Sequence, residues 1–143
     1  MLALPSGAPA QDREPLLGTW RLNLAQSTFA SGPPPYARVT TRIESSDGGL
    51  KVIYDMVGER GGVTHWEWMG RLDGKDYPLE GIEEAVTNAY SRIADRTYNL
   101  VFKVDGRITT TTRISISADG RTMTVTSTTA KSVNTAIYNK RGS

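Results

Sequence analysis

Asp-Gly pairs recur along this sequence, and each pair lies between two runs rich in Val, Ile, Thr and Tyr. The four pairs are Asp47-Gly48, Asp73-Gly74, Asp105-Gly106 and Asp119-Gly120. Both residues tolerate the positive φ angles of tight hairpin turns, so Asp-Gly between β-prone runs is a strong hairpin signal. The chain is therefore expected to fold as antiparallel strands joined by short turns.

The runs between these turns alternate between apolar and polar residues with a period of two. In one run, Leu50, Val52, Tyr54 and Met56 share a face, and Phe102 belongs to the apolar face of a later run. This alternation is typical of a strand that buries one face and exposes the other. The abundance of Thr agrees, because β-branched residues suit a pleated surface.

The pattern predicts nine strands and no helix. The strands cover about residues 17–25, 37–45, 50–58, 62–71, 84–92, 97–104, 107–117, 121–129 and 132–140, and a tenth short strand is expected near Lys75–Leu79. Short links between successive strands predict an up-and-down meander, and closure removes the two exposed edges that an open sheet would keep. The predicted fold class is all-β, a single antiparallel up-and-down β-barrel of about 8–10 strands.

Length and composition exclude several classes of site. The chain has 143 residues, which suggests one domain, and it has no Cys, which excludes disulfides and thiolate chemistry. Its net charge is +2 with basic residues spread along the chain, so nucleic-acid binding is not expected. Apolar runs stay short of the ~20 residues of a membrane-spanning helix. With a single His, and with neither a phosphate loop nor a dinucleotide motif, we expect no metal and no cofactor.

The first and last predicted strands resemble those of a known family. Leu16–Asn23 reads "LLGTWRLN", which resembles the Gly-x-Trp first strand of the calycins, that is, lipocalins and fatty-acid-binding proteins. Asn134–Arg141, "NTAIYNKR", is similar to the last strand of fatty-acid-binding proteins. The resemblance implies a lipocalin-like barrel in which Trp20 closes the floor and Lys140 or Arg141 packs across it.

A second resemblance covers most of the chain. Small exported bacterial proteins described as lipocalin-like, whose function is unsettled, share four motifs with this sequence: Gly18-Thr19-Trp20, Gly32–Pro35, His65-Trp66-Glu67 and Asp73–Pro78. This likeness implies the same fold and a secreted or periplasmic location.

The N-terminal residues are consistent with export. Ala8-Pro9-Ala10 has the small-x-small pattern of a signal-peptidase site, although a basic start and a full apolar stretch are missing. Residues 1–13 are therefore read as a signal-peptide remnant or a disordered leader, and residues 14–141 as the barrel domain.

The sequence departs from fatty-acid-binding proteins in two places. Those proteins insert two helices after the first strand, whereas here Pro33–Pro35 favours an extended polyproline II segment. They also hold the ligand carboxylate with an Arg-x-Tyr in the last strand, where this chain has Ala136-Ile137-Tyr138. Carboxylate binding of that kind is therefore not expected.

The strand "VTHWEWMG" allows two orientations with different consequences. On a strand, His65 and Glu67 face one way, and Trp66 and Trp68 face the other. If His65 and Glu67 point inward, they form a pair suited to acid/base catalysis, with Glu67 raising the His65 pKa. If the Trp side chains point inward, they line an apolar cavity, and large aromatic residues usually occupy the interior.

Three hypotheses of function follow. The first is binding of a small hydrophobic molecule in a cavity lined by Tyr54, Met56, Trp66, Trp68, Phe102 and Tyr138, with Trp20 at the floor. The second is an enzyme that uses His65 and Glu67 in the same cavity, as a cyclase, isomerase or hydrolase. The third is a structural envelope interaction module whose barrel is filled by its own side chains. The sequence makes no prediction of the oligomeric state.

Overall fold

Ten antiparallel strands make up the fold. The computed structural model describes residues 14–30, 36–83 and 85–141, so the leader at 1–13 and the polyproline II segment at Pro33–Pro35 lie outside the described residues. The strands are β1 (Gly18–Thr28), β2 (Arg38–Ser46), β3 (Gly49–Val57), β4 (Val63–Gly70), β5 (Tyr77–Glu80), β6 (Val86–Ala94), β7 (Thr97–Val104), β8 (Arg107–Ile116), β9 (Thr122–Thr128) and β10 (Val133–Arg141).

The ten strands form one closed barrel. Each strand pairs with its neighbours in sequence, and β1 also pairs with β10, so the sheet has no free edge. This arrangement confirms the predicted all-β, up-and-down barrel. The tenth strand is the four-residue β5, which has only two paired residues in register with β4 and two with β6. No segment of the described ranges forms a helix that could cross a membrane.

The tight turns have the backbone geometry that their residues favour. The β2–β3 loop is Asp47-Gly48, with φ angles of 45° and 79°, and the β7–β8 loop is Asp105-Gly106, with φ angles of 51° and 81°. Positive φ at both central residues of a two-residue loop matches the twist of the flanking strands. The Asp-Gly pairs therefore fix the register of these two hairpins.

One end of the barrel is closed around Trp20. This residue is fully buried, and its Nε1 donates a 2.8 Å hydrogen bond to the backbone oxygen of Leu16. Lys140, rather than Arg141, packs across the ring, with Nζ 5.4 Å from the ring centroid. Gly18 has a φ of 135°, and a Cβ there would lie 2.5 Å from the Lys140 Cε, so the Gly lets the Lys side chain pass.

The segment before β1 crosses this closed end. The Glu14 carboxylate accepts hydrogen bonds from the Arg92 guanidinium and the Tyr98 hydroxyl. Arg92 also lies over the Tyr98 ring, 5.3 Å from its centroid. Since β7 is four strands away from β1 in the barrel order, residues 14–17 extend from one side of the barrel to the other.

Candidate ligand-binding cavity

Strand β4 turns its Trp side chains toward the interior. Trp66 and Trp68 pair with Tyr54 and Val52 of β3, and these side chains share the inner face. Trp68 is fully buried and Trp66 is half-buried. His65 and Glu67 lie on the outer face, where their side chains are 49% and 38% exposed. Of the two orientations that the sequence allowed, the structure has the one with inward Trp side chains.

Adjoining cavities lined by the described residues lie in the interior. One of them, which we call the main cavity, has a volume of about 390 Å³ and is lined by Tyr36, Tyr54, Trp66, Leu79, Asn88, Leu100, Phe102, Thr110, Thr112 and Ser127. A second cavity of about 240 Å³ lies beside it and shares Tyr36 and Ser127 with it. A third of about 80 Å³ lies toward the closed end, next to Leu16. The shared lining residues show that these cavities are direct neighbours.

The residues predicted to bind a ligand divide into two groups. Tyr54, Trp66 and Phe102 line the main cavity, and Tyr138 lines the two smaller ones. Their role in binding stays a prediction. Trp68 and Met56 are buried but are not among the residues that line these cavities.

Trp68 lies in the wall of the barrel, where its contacts hold it in place. Its ring packs edge-on against Tyr77 and tilted against Tyr90, with centroid distances of 5.7 Å and 4.6 Å. Its Nε1 donates to the backbone oxygens of Tyr77, at 3.2 Å, and Asn88, at 3.1 Å. Both sides of the indole are therefore occupied by protein, and Trp66 is the Trp that faces the main cavity.

A polar cluster lies against the main cavity. The hydroxyls of Tyr54 and Tyr90 are hydrogen-bonded to each other, and Asn88 Nδ2 donates to the Tyr54 hydroxyl at 3.3 Å. Burial raises the pKa of Tyr54 to about 12, and it also raises the pKa of Tyr90 and of Tyr138. All three hydroxyls are therefore protonated, neutral donors at physiological pH.

Neither Asn88 nor Tyr90 stands out in the sequence as a cavity residue. Both lie on β6, where Val86, Asn88 and Tyr90 alternate along the inner face. The period of two was present in the sequence, but a buried Asn gives no apolar signal. The alternation with Val86 and Tyr90 places Asn88 on the inner face, and the pairing of β6 with β5 and β7 buries it.

The cavity lining is uncharged. Among the described residues, none of those that line the three cavities is Asp, Glu, Lys or Arg. Ala136 occupies the position of the Arg in the Arg-x-Tyr motif. It lines the second cavity together with Tyr138. The interior can therefore donate and accept hydrogen bonds, but the described lining offers a ligand no ion pair.

The single His belongs to a charged row on the outer face. His65 Nδ1 lies 2.5 Å from Asp55 Oδ1, and His65 Nε2 lies 2.8 Å from Glu67 Oε2. The hydrogen bond to Glu67, followed by the one to Asp55, raises the pKa of His65 above its usual value. The sheet separates this row from the cavity, so His65 and Glu67 do not face a molecule held inside. No metal-binding group of three or more His, Cys, Asp or Glu occurs in the part of the chain that the structure describes.

Solved structures with the same architecture include two kinds of protein. The fluorescent protein UnaG has a TM-score of 0.60 and 20% identity, covering 87% of this chain and 96% of that one. A mutant of UnaG has a TM-score of 0.65 and 18% identity, covering 91% and 99%. The fatty-acid-binding protein 1 of Echinococcus granulosus has a TM-score of 0.58 and 12% identity, covering 91% and 100%. No family model and no curated protein sequence matches the chain.

These likenesses extend over nearly the whole of each chain, at low sequence identity. They agree with the closed barrel. The chain shares the closed barrel fold of these proteins, which is the fold that the resemblance of its first and last strands implied.

Proposed function

We propose that this protein binds a small, largely apolar and uncharged molecule inside its barrel. The observation that carries the proposal is the main cavity of about 390 Å³, which lies within the range of about 300–1,000 Å³ typical of ligand sites. Aromatic and aliphatic side chains make up most of its lining, and a few hydroxyl and amide groups lie among them. Such a lining suits a ligand with an apolar body and few polar atoms.

The architecture supports the same proposal. Closed barrels of this size enclose room for one small ligand. One of the structurally similar proteins is a fatty-acid-binding protein. This chain lacks the Arg of the Arg-x-Tyr motif, and the described cavity lining is uncharged, so we propose a neutral ligand rather than a fatty-acid carboxylate.

The two other hypotheses find less support. A reaction inside the cavity would need acid/base groups there, and His65 and Glu67 lie outside. A barrel filled by its own side chains would leave no space of this size. The Tyr hydroxyls near the cavity are suited to hydrogen bonding rather than to proton transfer, because burial raises their pKa.

The experiment is a titration with N-phenyl-1-naphthylamine, a neutral apolar dye whose emission rises in apolar surroundings. We expect saturable binding and quenching of Trp fluorescence, because Trp66 lines the cavity. Thr110 lines the main cavity and Thr111, the next residue on β8, is exposed on the other face. Thr110→Trp should fill the cavity and weaken dye binding at least tenfold, whereas Thr111→Trp is the matched control and should leave it unchanged.

Two results would contradict the proposal. One is the absence of saturable binding in a protein whose circular dichroism shows folded β-structure. The other is equal loss of dye binding in both Trp variants, since that would place the dye on the surface of the barrel.

We also propose that the protein works outside the cytoplasm, as the likeness to exported proteins suggests. Fractionation of the cells that naturally make the protein, with detection by an antibody against the barrel, tests this. Recovery in the periplasm or the medium supports export, and protein confined to the cytoplasm contradicts it.

A further inference from the structure

We propose that the ligand donates an N–H or O–H hydrogen bond to the Asn88 side-chain oxygen, so that the protein selects neutral molecules carrying such a donor. This inference rests on the proposed ligand-binding function and specifies the class of ligand. The supporting observation is that the side-chain oxygen of Asn88, a residue of the main cavity lining, is buried without a hydrogen-bond partner in the described chain.

Asn88 is 3% exposed, and its side chain lines the main cavity. Its Oδ1 accepts no hydrogen bond from the described residues. A buried amide oxygen without a partner is costly, and most such groups in folded proteins are paired. This acceptor has no partner in the described chain and belongs to a residue that lines a ligand-sized cavity, so a donor from outside the chain would satisfy it.

The rest of the Asn88 side chain is held in place. Its Nδ2 donates to the Tyr54 hydroxyl at 3.3 Å, and Tyr54 in turn bonds to Tyr90. The Asn88 backbone oxygen accepts from Trp68 Nε1 at 3.1 Å, which anchors this part of β6 against β4. These contacts hold the Asn88 side chain at the cavity wall in advance of binding.

The proton count of the cluster points to a second polar contact. A single proton makes the bond between the Tyr54 and Tyr90 hydroxyls, and Asn88 supplies the proton of the other bond. The proton of one Tyr hydroxyl is therefore left over. Where that proton belongs to Tyr54, which lines the main cavity with Asn88, one alcohol, amide or lactam group complements both the donor and the acceptor.

The test compares two isomers that differ in the donor alone. Decan-1-ol and 1-methoxynonane have the same atoms and similar apolar surface, and both oxygens accept a hydrogen bond, but only the alcohol donates one. Each displaces the bound dye, and its dissociation constant is corrected for the dye affinity of the same protein. We expect the alcohol to bind about tenfold more tightly, which corresponds to about 1.4 kcal/mol.

The variant Asn88→Leu removes the acceptor at similar volume. We expect the ratio of the two affinities to fall to about one, chiefly through weaker binding of the alcohol. Asn99→Leu is the matched control, because Asn99 lies on the outer face of β7, where its side-chain oxygen accepts from Arg113 Nε at 3.1 Å. It should preserve the preference for the alcohol.

The outcomes separate this inference from the proposed function. If the dye binds and wild-type protein holds both isomers equally, the Asn88 inference is wrong and the binding function stands. A preference that survives in a folded Asn88→Leu variant also overturns it. If the dye does not bind at all, both the proposed function and this inference are wrong. The wild-type comparison is decisive even if the variant does not fold.

Discussion

The ammonium group of Lys140 lies 5.4 Å from the centre of the Trp20 ring, across the closed end of the barrel. The two residues face each other in the β1–β10 pair, which is the pair that closes the sheet. A cation over a Trp ring contributes about 0.5–1 kcal/mol at an exposed site. The contact therefore stabilises the closure at the strand pair where the two ends of the chain meet.

Gly18→Ala tests the space and the backbone freedom that this contact requires. The φ of 135° is unfavourable for Ala, and the new Cβ would lie 2.5 Å from the Lys140 Cε. We expect a loss of about 1–3 kcal/mol in the free energy of unfolding, most of it from backbone strain, because the Lys side chain can move. Urea unfolding followed by Trp fluorescence measures it.

Gly62→Ala provides the control for that substitution. Nothing lies within 4 Å of a Cβ at this position, and its φ is not in the positive region. Its unfolding free energy should stay within about 0.5 kcal/mol of wild type. Equal stability of the two variants would contradict the explanation given for Gly18.

Glu14→Gln tests the segment that crosses the closed end. Only 13% of the Glu14 side chain is exposed, and its carboxylate accepts from both Arg92 and Tyr98. Hydrogen bonds to charged groups contribute about 1.5–3 kcal/mol, so we expect a loss of about that size in the free energy of unfolding. The exposed Glu59 gives the control Glu59→Gln, which should have little effect. Unchanged stability of Glu14→Gln would mean that the contacts of the segment at residues 14–17 do not stabilise the barrel.

His65 should titrate above its usual pKa. Its hydrogen bonds to Glu67 and then to Asp55 favour the charged ring, so the folded-state pKa lies above the ordinary value of 6.5. Because the chain has one His, its ring resonances in an NMR titration of untagged protein are unambiguous. A midpoint above 6.5 is expected, and Glu67→Gln should move it back toward 6.5. A midpoint at or below the ordinary value would contradict the geometry.

The same shift sets the sign of a pH effect on stability. Since the pKa is higher in the folded state, the charged His65 stabilises the fold fully below the unfolded pKa of about 6.5. This contribution is lost as the pH rises through the folded pKa. His65→Gln should therefore cost more stability at about pH 6 than at about pH 8. Dye binding should be unaffected, because His65 faces away from the cavity.

The closed barrel could be predicted from the sequence because its determinants are local. Asp-Gly turns and a period of two specify hairpins one at a time, and closure follows from the number of strands. The sequence also predicts the short β5. The predicted strand starts at Lys75, two residues before the observed start at Tyr77.

The site was harder to predict because it depends on contacts between distant strands. Strand β4 carries aromatic residues on one face and a charged pair on the other, so its own pattern left the orientation open. The pairing of Trp66 with Tyr54 and the two backbone acceptors of Trp68 determine it. The same applies to Asn88, whose burial depends on neighbours in β5 and β7.

Ala136→Arg should convert the interior into a carboxylate site. Ala136 and Tyr138 line the same cavity of about 240 Å³, and Arg at 136 restores the Arg-x-Tyr spacing of fatty-acid-binding proteins. A guanidinium in a partly enclosed cavity makes strong, charge-assisted hydrogen bonds to a carboxylate. We expect decanoate to bind at least tenfold more tightly than to wild type, measured by displacement of the dye.

Ile137→Arg places the same charge on the opposite face of β10 and should leave decanoate binding unchanged. Equal gains in the two variants would mean that decanoate is attracted by net charge, and no gain in a folded Ala136→Arg protein would mean that this cavity does not hold the ligand's polar end.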